Sequence, residues 1–256
     1  MTSGGDEVGR DFEQHRVAEI DATPDQVWAA IATGSGIDSW FMGRSEVEPG
    51  EGGVVRTAFG GYTPEHRVTA WQPDERFAYR SDEDDDGGFI AYEFLIEGRA
   101  GGSAVVRMVT SGFLPGDDWE DEYDAMTKGT DLFFRTLVEY LRHFAGRSAT
   151  PVTAFGPPVA NWSAAWATLR DALGLTEPVA EGDEVHAAPD GLPAIDGVVY
   201  FVNPHTLGVR TNDALYRFLQ GFHGPMVIGH HVFTEVDADE TERAWQSWLA
   251  RLFAPA

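Results

Sequence analysis

From Trp119 to Phe144 apolar side chains recur at spacings of three or four, through Tyr123, Met126, Thr130, Phe133, Leu137 and Leu141. Such a stripe predicts one long amphipathic helix, which must bury one face against something else in the chain. Upstream lie only short strand-like segments, at 15–21, 45–47, 53–59, 66–71, 76–80, 89–97 and 104–110. The breaks between the later ones, Pro49-Gly50-Glu51-Gly52, Gln72-Pro73-Asp74, the acidic run 82–88 and the glycine-rich run 98–102, are too short for crossovers. They imply antiparallel hairpins. The expectation is an α+β architecture, a curved antiparallel sheet wrapped on a long C-terminal helix.

Side-chain alternation sets the inner face. In 89–97, Ile90, Tyr92, Phe94 and Ile96 share one side, and in 104–110 Val106, Met108 and Thr110 oppose Val105, Arg107 and Val109. Thr23 and Pro24 suit the N-cap and first turn of a helix carrying Val27, Trp28 and Ile31, with Gly34 and Gly36 as its stop. The aromatic pair Trp40-Phe41 follows in a connecting stretch. Asp118, Glu120 and Asp121 suit the positive end of the long helix, and Arg142 and Arg147 suit the other.

The division expected along the chain is a first domain over 12–147, a Pro/Ala/Thr/Gly linker over 148–158, and a smaller α+β domain over 159–254. The last repeats the order of the first: a helix at 161–173, strands near 184–187, 197–202, 207–211, 214–219 and 226–235, and a helix at 240–253. Pro24 to Trp28 and Pro158 to Trp162 share one spacing. Together these suggest a shortened second copy of one fold in tandem.

Composition excludes several functions. A formal charge of -24, from 42 acidic against 18 basic residues, repels phosphate backbones, so no nucleic-acid partner is expected. With no cysteine, thiolate metal sites and cysteine nucleophiles are ruled out. No run approaches the roughly 18 apolar residues of a membrane span, and residues 2–14 carry no apolar leader core, so a cytoplasmic protein without membrane insertion is expected.

Several residue groups carry a family resemblance: Thr23-Pro24 with Val27-Trp28, Trp40-Phe41, Glu46-Val47-Glu48-Pro49 with Gly52-Gly53, Val68 to Pro73 with Phe77, and Thr110-Ser111-Gly112-Phe113 before the long helix. In this order, over 17–144, the chain resembles the SRPBCC (START-like) superfamily, within it the branch similar to the activator of heat-shock-protein ATPase. The resemblance implies a helix-grip fold with a pocket between sheet and helix. It also implies relatives that bind lipids, polyketides or other apolar small molecules.

Alternation and the helix stripe give Trp40, Phe41, Phe59, Tyr79, Tyr92, Phe94, Met108, Phe133 and Leu137 as the expected lining of that interior, although core packing uses the same residue types. His66 and Arg80 are the candidate acid or base and anion anchor beside it. The acidic runs 82–88 and 117–124 lack EF-hand spacing and read as a solvated loop and a helix cap. His205, His223 and His230, even with Glu235, show no zinc motif, and of the strand neighbours His230 and His231 at most one should look inward. No nucleophile elbow, phosphate loop or dinucleotide fingerprint occurs, Ser111 is read as structural, and no metal or cofactor is expected. The sequence leaves three functions open: binding of an apolar or amphipathic small molecule, a cyclase, aromatase or hydratase reaction in the same interior, and a chaperone-cofactor-like interaction.

Overall fold

The computed structural model describes residues 9–116, 119–221 and 224–254. The first half runs β1 (Gly9–Ile20), α1 (Pro24–Ala32), α2 (Gly34–Ile37), β2 (Arg44–Val47), β3 (Val54–Ala58), β4 (Glu65–Gln72), β5 (Arg76–Ser81), β6 (Phe89–Gly98), β7 (Ala104–Pro115) and α3 (Trp119–His143). The second runs β8 (Thr150–Pro158), α4 (Trp162–Ala172), β9 (Glu184–Ala187), β10 (Ile195–Asn203), β11 (Thr206–Arg210), β12 (Ala214–Gln220), β13 (Pro225–Val232) and α5 (Ala238–Leu252).

Each half is an antiparallel meander closed by its own first strand. The seven-stranded sheet has the order β1-β7-β6-β5-β4-β3-β2, and the six-stranded sheet the order β8-β13-β12-β11-β10-β9. In both, the first strand pairs with the last, helices fill the excursion between first and second strands, and a long helix ends the unit. The second half is thus the same topology with one strand fewer. The shared Pro-to-Trp spacing does not mark equivalent positions: Pro24 opens α1, whereas Pro158 ends β8 and Trp162 opens α4.

Local chemistry explains the entry to the grip. Gln26 Oε1 accepts the Thr23 backbone N–H at 3.0 Å while Pro24 occupies the first turn of α1, leaving no orphan donor there. Gly34 and Gly36 do not end the excursion; they form α2, where a Cβ on Gly36 would lie 2.0 Å from the Ala29 carbonyl. Gly43, at φ +68, turns the chain after Trp40-Phe41 into β2.

Helix α3 is covered on two sides. Toward the first sheet it contributes Phe134, Leu137, Val138 and Leu141 to the main core with Phe94 and Met108. Toward the second sheet Leu132 packs on Leu219 and Val227, Thr136 Oγ1 shares a 2.9 Å hydrogen bond with the Tyr200 hydroxyl, and Glu139 accepts from Arg210 at 3.0 Å. Phe233 stacks on Phe144 at 4.1 Å. The single stripe read from the sequence is one of two buried faces.

Residues 150–158, expected within a linker, form the edge strand β8, in register with β13 from Thr150↔Val232 to Pro158↔Pro225. Strand β7 runs on to Pro115, so Ser111 sits mid-ladder between Glu13 and Ala91. Both members of the His230-His231 pair are buried, because the second sheet is covered on both faces. His230 lies against Trp245 at 4.3 Å, while His231 Nδ1 donates to the Asp38 carbonyl at 2.7 Å on the other side. His223, Asp117 and Asp118 lie outside the described residues.

Burial holds both histidines neutral, well below the ordinary imidazole range, with the Arg217 charge as the second cause. A folded-state value below the unfolded one means that stability is intact above about pH 6.5 and is lost as the unfolded chain takes up protons below it. The unfolding free energy of the native protein minus that of a His230→Met variant, from urea titrations between pH 7 and 5, should fall by roughly 1.4 kcal/mol per unit below pH 6.5. A difference independent of pH contradicts the neutral buried imidazole.

Candidate functional site

The inner face of the first sheet carries side chains in register rows. One row, Met108, Phe94 and Phe77, is apolar and fully buried. The next is polar: Gln14 on β1 pairs with Thr110 on β7, Thr110 with Tyr92 on β6, and Tyr92 with Tyr79 on β5. On β4 the register partner of Tyr79 is Val68, and His66, two residues earlier and opposite Ser81, sits diagonally beside the row with its ring 5.6 Å from that of Tyr79 and 6.0 Å from that of Tyr92. Alternation places the row inside because its neighbours of opposite parity, Arg107, Glu93 and Arg80, belong to the outer face.

Several polar atoms of this row lack protein partners. Gln14 donates through Nε2 to Thr127 Oγ1 on α3, but its Oε1 is buried with no donor, and Thr110 Oγ1 is buried with no partner. Among the described residues no hydrogen bond reaches the Tyr79 or Tyr92 hydroxyl. Burial pushes the Tyr79 phenol far up and the Tyr92 phenol up to about 12, and it lowers the His66 imidazole. At neutral pH the row is therefore uncharged, with hydroxyls to donate and an imidazole to accept. A buried polar group left unmatched costs about 1–3 kcal/mol, so Gln14 Oε1 and Thr110 Oγ1, next to the half-buried Tyr92 and His66, favour a polar occupant.

Eight of the nine residues expected to line the interior converge here or beside it: Trp40, Phe41, Tyr79, Tyr92, Phe94, Met108, Phe133 and Leu137 belong to one cluster. The ring of Phe41 lies 4.6 Å from Phe133 and 6.3 Å from Tyr92, and Trp40 lies 6.0 Å from Phe94, so the Trp40-Phe41 corner closes over the row. Phe59 is elsewhere, packed on Phe155 at 5.6 Å in a separate cluster between the halves. Arg80 points outward, stacked on Phe89 at 4.2 Å and paired with Glu83, so it anchors nothing inside the grip. Gln14 and Thr110 were not singled out from the sequence: Thr110 shares the inward parity of Val106 and Met108, Gln14 falls just before the expected strand 15–21, and their lack of partners appears only with α3 in place.

The other candidates are structural. Asp84 Oδ1 accepts the N–H groups of Asp86 and Gly88, so the acidic loop caps itself. Among the described residues no three His, Asp or Glu side chains gather as a metal site, and no helix is long and apolar enough to cross a membrane. Two surface clefts lie outside the grip. One of about 220 Å³ runs between β8 and α5 beside Thr153, Glu242 and Arg243, and one of about 330 Å³ lies between Arg16, Asp131, Arg135 and Phe201.

If the Thr110 hydroxyl serves an occupant and not the fold, Thr110→Val should raise the urea unfolding free energy of the ligand-free protein by roughly 1 kcal/mol. A loss of similar size would show that the hydroxyl supports the fold.

The di-domain ARO/CYC BexL from the BE-7585A biosynthetic pathway is 11% identical, with 96% of this chain and 99% of that chain covered and a TM-score of 0.43. DynU16, a protein in the dynemicin biosynthetic locus, is 17% identical over 94% and 95% of the two chains, with a TM-score of 0.42. The Aha1 dimer from Colwellia psychrerythraea is 19% identical over 51% of this chain and 96% of that chain, with a TM-score of 0.41. No curated protein matches the chain. The family described as polyketide cyclase/dehydrase and lipid transport matches residues 12–144, half of the chain, and the chain belongs to it, with the SRPBCC-type helix grip its sequence resembles.

Proposed function

We propose that the grip of the first half binds an amphipathic small molecule of polyketide or lipid type, an apolar body carrying hydroxyl or carbonyl oxygens. The observation that carries this reading is the row Gln14, Thr110, Tyr92, Tyr79 and His66, in which Gln14 Oε1 and Thr110 Oγ1 are buried without partners beside two phenols and an imidazole, set among aromatic rings beneath α3. A pure hydrocarbon would leave the row unmatched, and a highly polar ligand would forfeit the contacts of Phe41, Phe94, Met108 and Phe133. The family description, which couples polyketide chemistry with lipid transport, supports the same ligand class.

A second reading, a cyclase- or dehydrase-type reaction in the same interior, is favoured by His66. Its neutral imidazole stands against two phenols and suits proton transfer to or from a ketone or enol held on the row. Binding then depends on the aromatic cage and the row, and turnover on His66.

Titration with 1,8-dihydroxyanthraquinone and with unsubstituted anthraquinone tests the binding reading. The hydroxylated compound should bind roughly tenfold more tightly, the value of one or two added hydrogen bonds. The double variant Thr110→Val, Tyr92→Phe should erase the preference while keeping the weaker binding. Equal affinity for the two compounds, or no binding of either, overturns it.

A further inference from the structure

The segment Asp38 to Phe41, between α2 and β2, is held by the other half of the chain at each of its four residues. His231 Nδ1 donates to the Asp38 carbonyl at 2.7 Å, and the Ala149 N–H to Ser39 Oγ at 3.0 Å. Arg217 donates through Nη1 to the Trp40 carbonyl at 2.9 Å and through Nη2 to the Phe41 carbonyl at 2.6 Å. These carbonyls end a helix and a turn, carry its partial negative charge and would otherwise be orphaned in a dry place.

Arg217 is an unusual donor. Its side chain is fully buried, its Nε donates to the Gly229 carbonyl, and it makes no salt bridge to a carboxylate among the described residues. The second sheet is altered to accommodate it. The β12–β13 ladder skips Tyr216 and Arg217, the Arg217 N–H going to His230 Nδ1 instead, and a Cβ on Gly229 would come within 3.2 Å of Arg217 Nη2. Burial pushes the guanidinium down to about 10, so the charge persists at neutral pH. Removing a charge from water for three carbonyls costs several kcal/mol, a cost that a purely structural core position would avoid with a methionine or leucine.

We propose that Arg217 is a positioning residue for the grip, through which the second half holds the Trp40-Phe41 corner shut over the polar row and sets the rate of ligand exchange. The inference rests on the reading of the grip as a binding site. It follows from the packing: Phe41 lies against Tyr92 and Phe133, and the guanidinium that fixes the Phe41 carbonyl sits 5.5 Å from the Phe133 ring. The Phe41 ring stands against Tyr92 of the row, and the Phe41 backbone is tied to β12.

Hydrogen exchange on the full-length, ligand-free protein tests the tie without a ligand. In Arg217→Met the amides of residues 38–43 should exchange at least about tenfold faster, while those of β6 and β7 keep their native protection. Arg217→Lys, which keeps the charge and one contact, should fall between and serves if the methionine variant does not fold. Stopped-flow release of 1,8-dihydroxyanthraquinone should speed up about tenfold in Arg217→Met, and by less than about twofold when that change is added to Phe41→Ala, because both act through one ring. Unchanged exchange at 38–43, faster exchange everywhere, or fully additive release rates overturn the proposal. If the native protein takes up no anthraquinone, the binding reading fails and the exchange result alone decides the clamp.

Discussion

Everything in this molecule is arranged around a helix buried on two sides. A helix packed on one sheet keeps a solvated face; α3 gives that face to a second sheet, through Leu132, Thr136, Glu139 and Tyr140. Its polar members must then find partners across the boundary, which is why Thr136 meets the Tyr200 hydroxyl and Glu139 meets Arg210. The halves, although each is a complete meander, share one core: Tyr200, Leu215 and Phe233 of the second belong to the main cluster of the first.

That arrangement gives the second half its role in the structure. Its own interior is filled by Tyr216, Phe218, Trp245 and Trp248, whose rings are in mutual contact and which close around the buried His230 imidazole. Its other face presents Arg217 and His231 to the corner above the grip. Two copies of one topology have thus diverged in what their faces do. One gathers a polar row beneath its long helix, and the other spends a buried charge on the wall of its neighbour.

Much of the first half was legible in the sequence because its signals are periodic. Alternation in β6 and β7, the turn residues and the long stripe of α3 predict elements that agree closely with the structure, and eight of the nine residues expected in the interior fall in one cluster. What periodicity cannot convey is which polar side chains lack partners. Thr110 looks like an ordinary strand residue, Gln14 falls just before the expected first strand, and Arg217 lies on a strand both of whose faces are buried. The assumption that each sheet has one wet face led to His230 and His231 being read as alternatives and to the Leu132 side of α3 being overlooked. Phe59 shares its chemistry with the other eight residues, but it follows β3, in a bridge with Tyr62, and lands between the halves.

The central claim is that the polar row exists to receive a ligand's oxygen atoms, and a crystal structure of the protein grown with 1,8-dihydroxyanthraquinone tests it most directly. The account predicts the ring system between β5–β7 and α3, with the Phe41 ring displaced and ligand oxygens within about 3.2 Å of Thr110 Oγ1 and the Tyr92 hydroxyl. A ligand seated only in the surface clefts, with ordered waters alone satisfying the row, would contradict it.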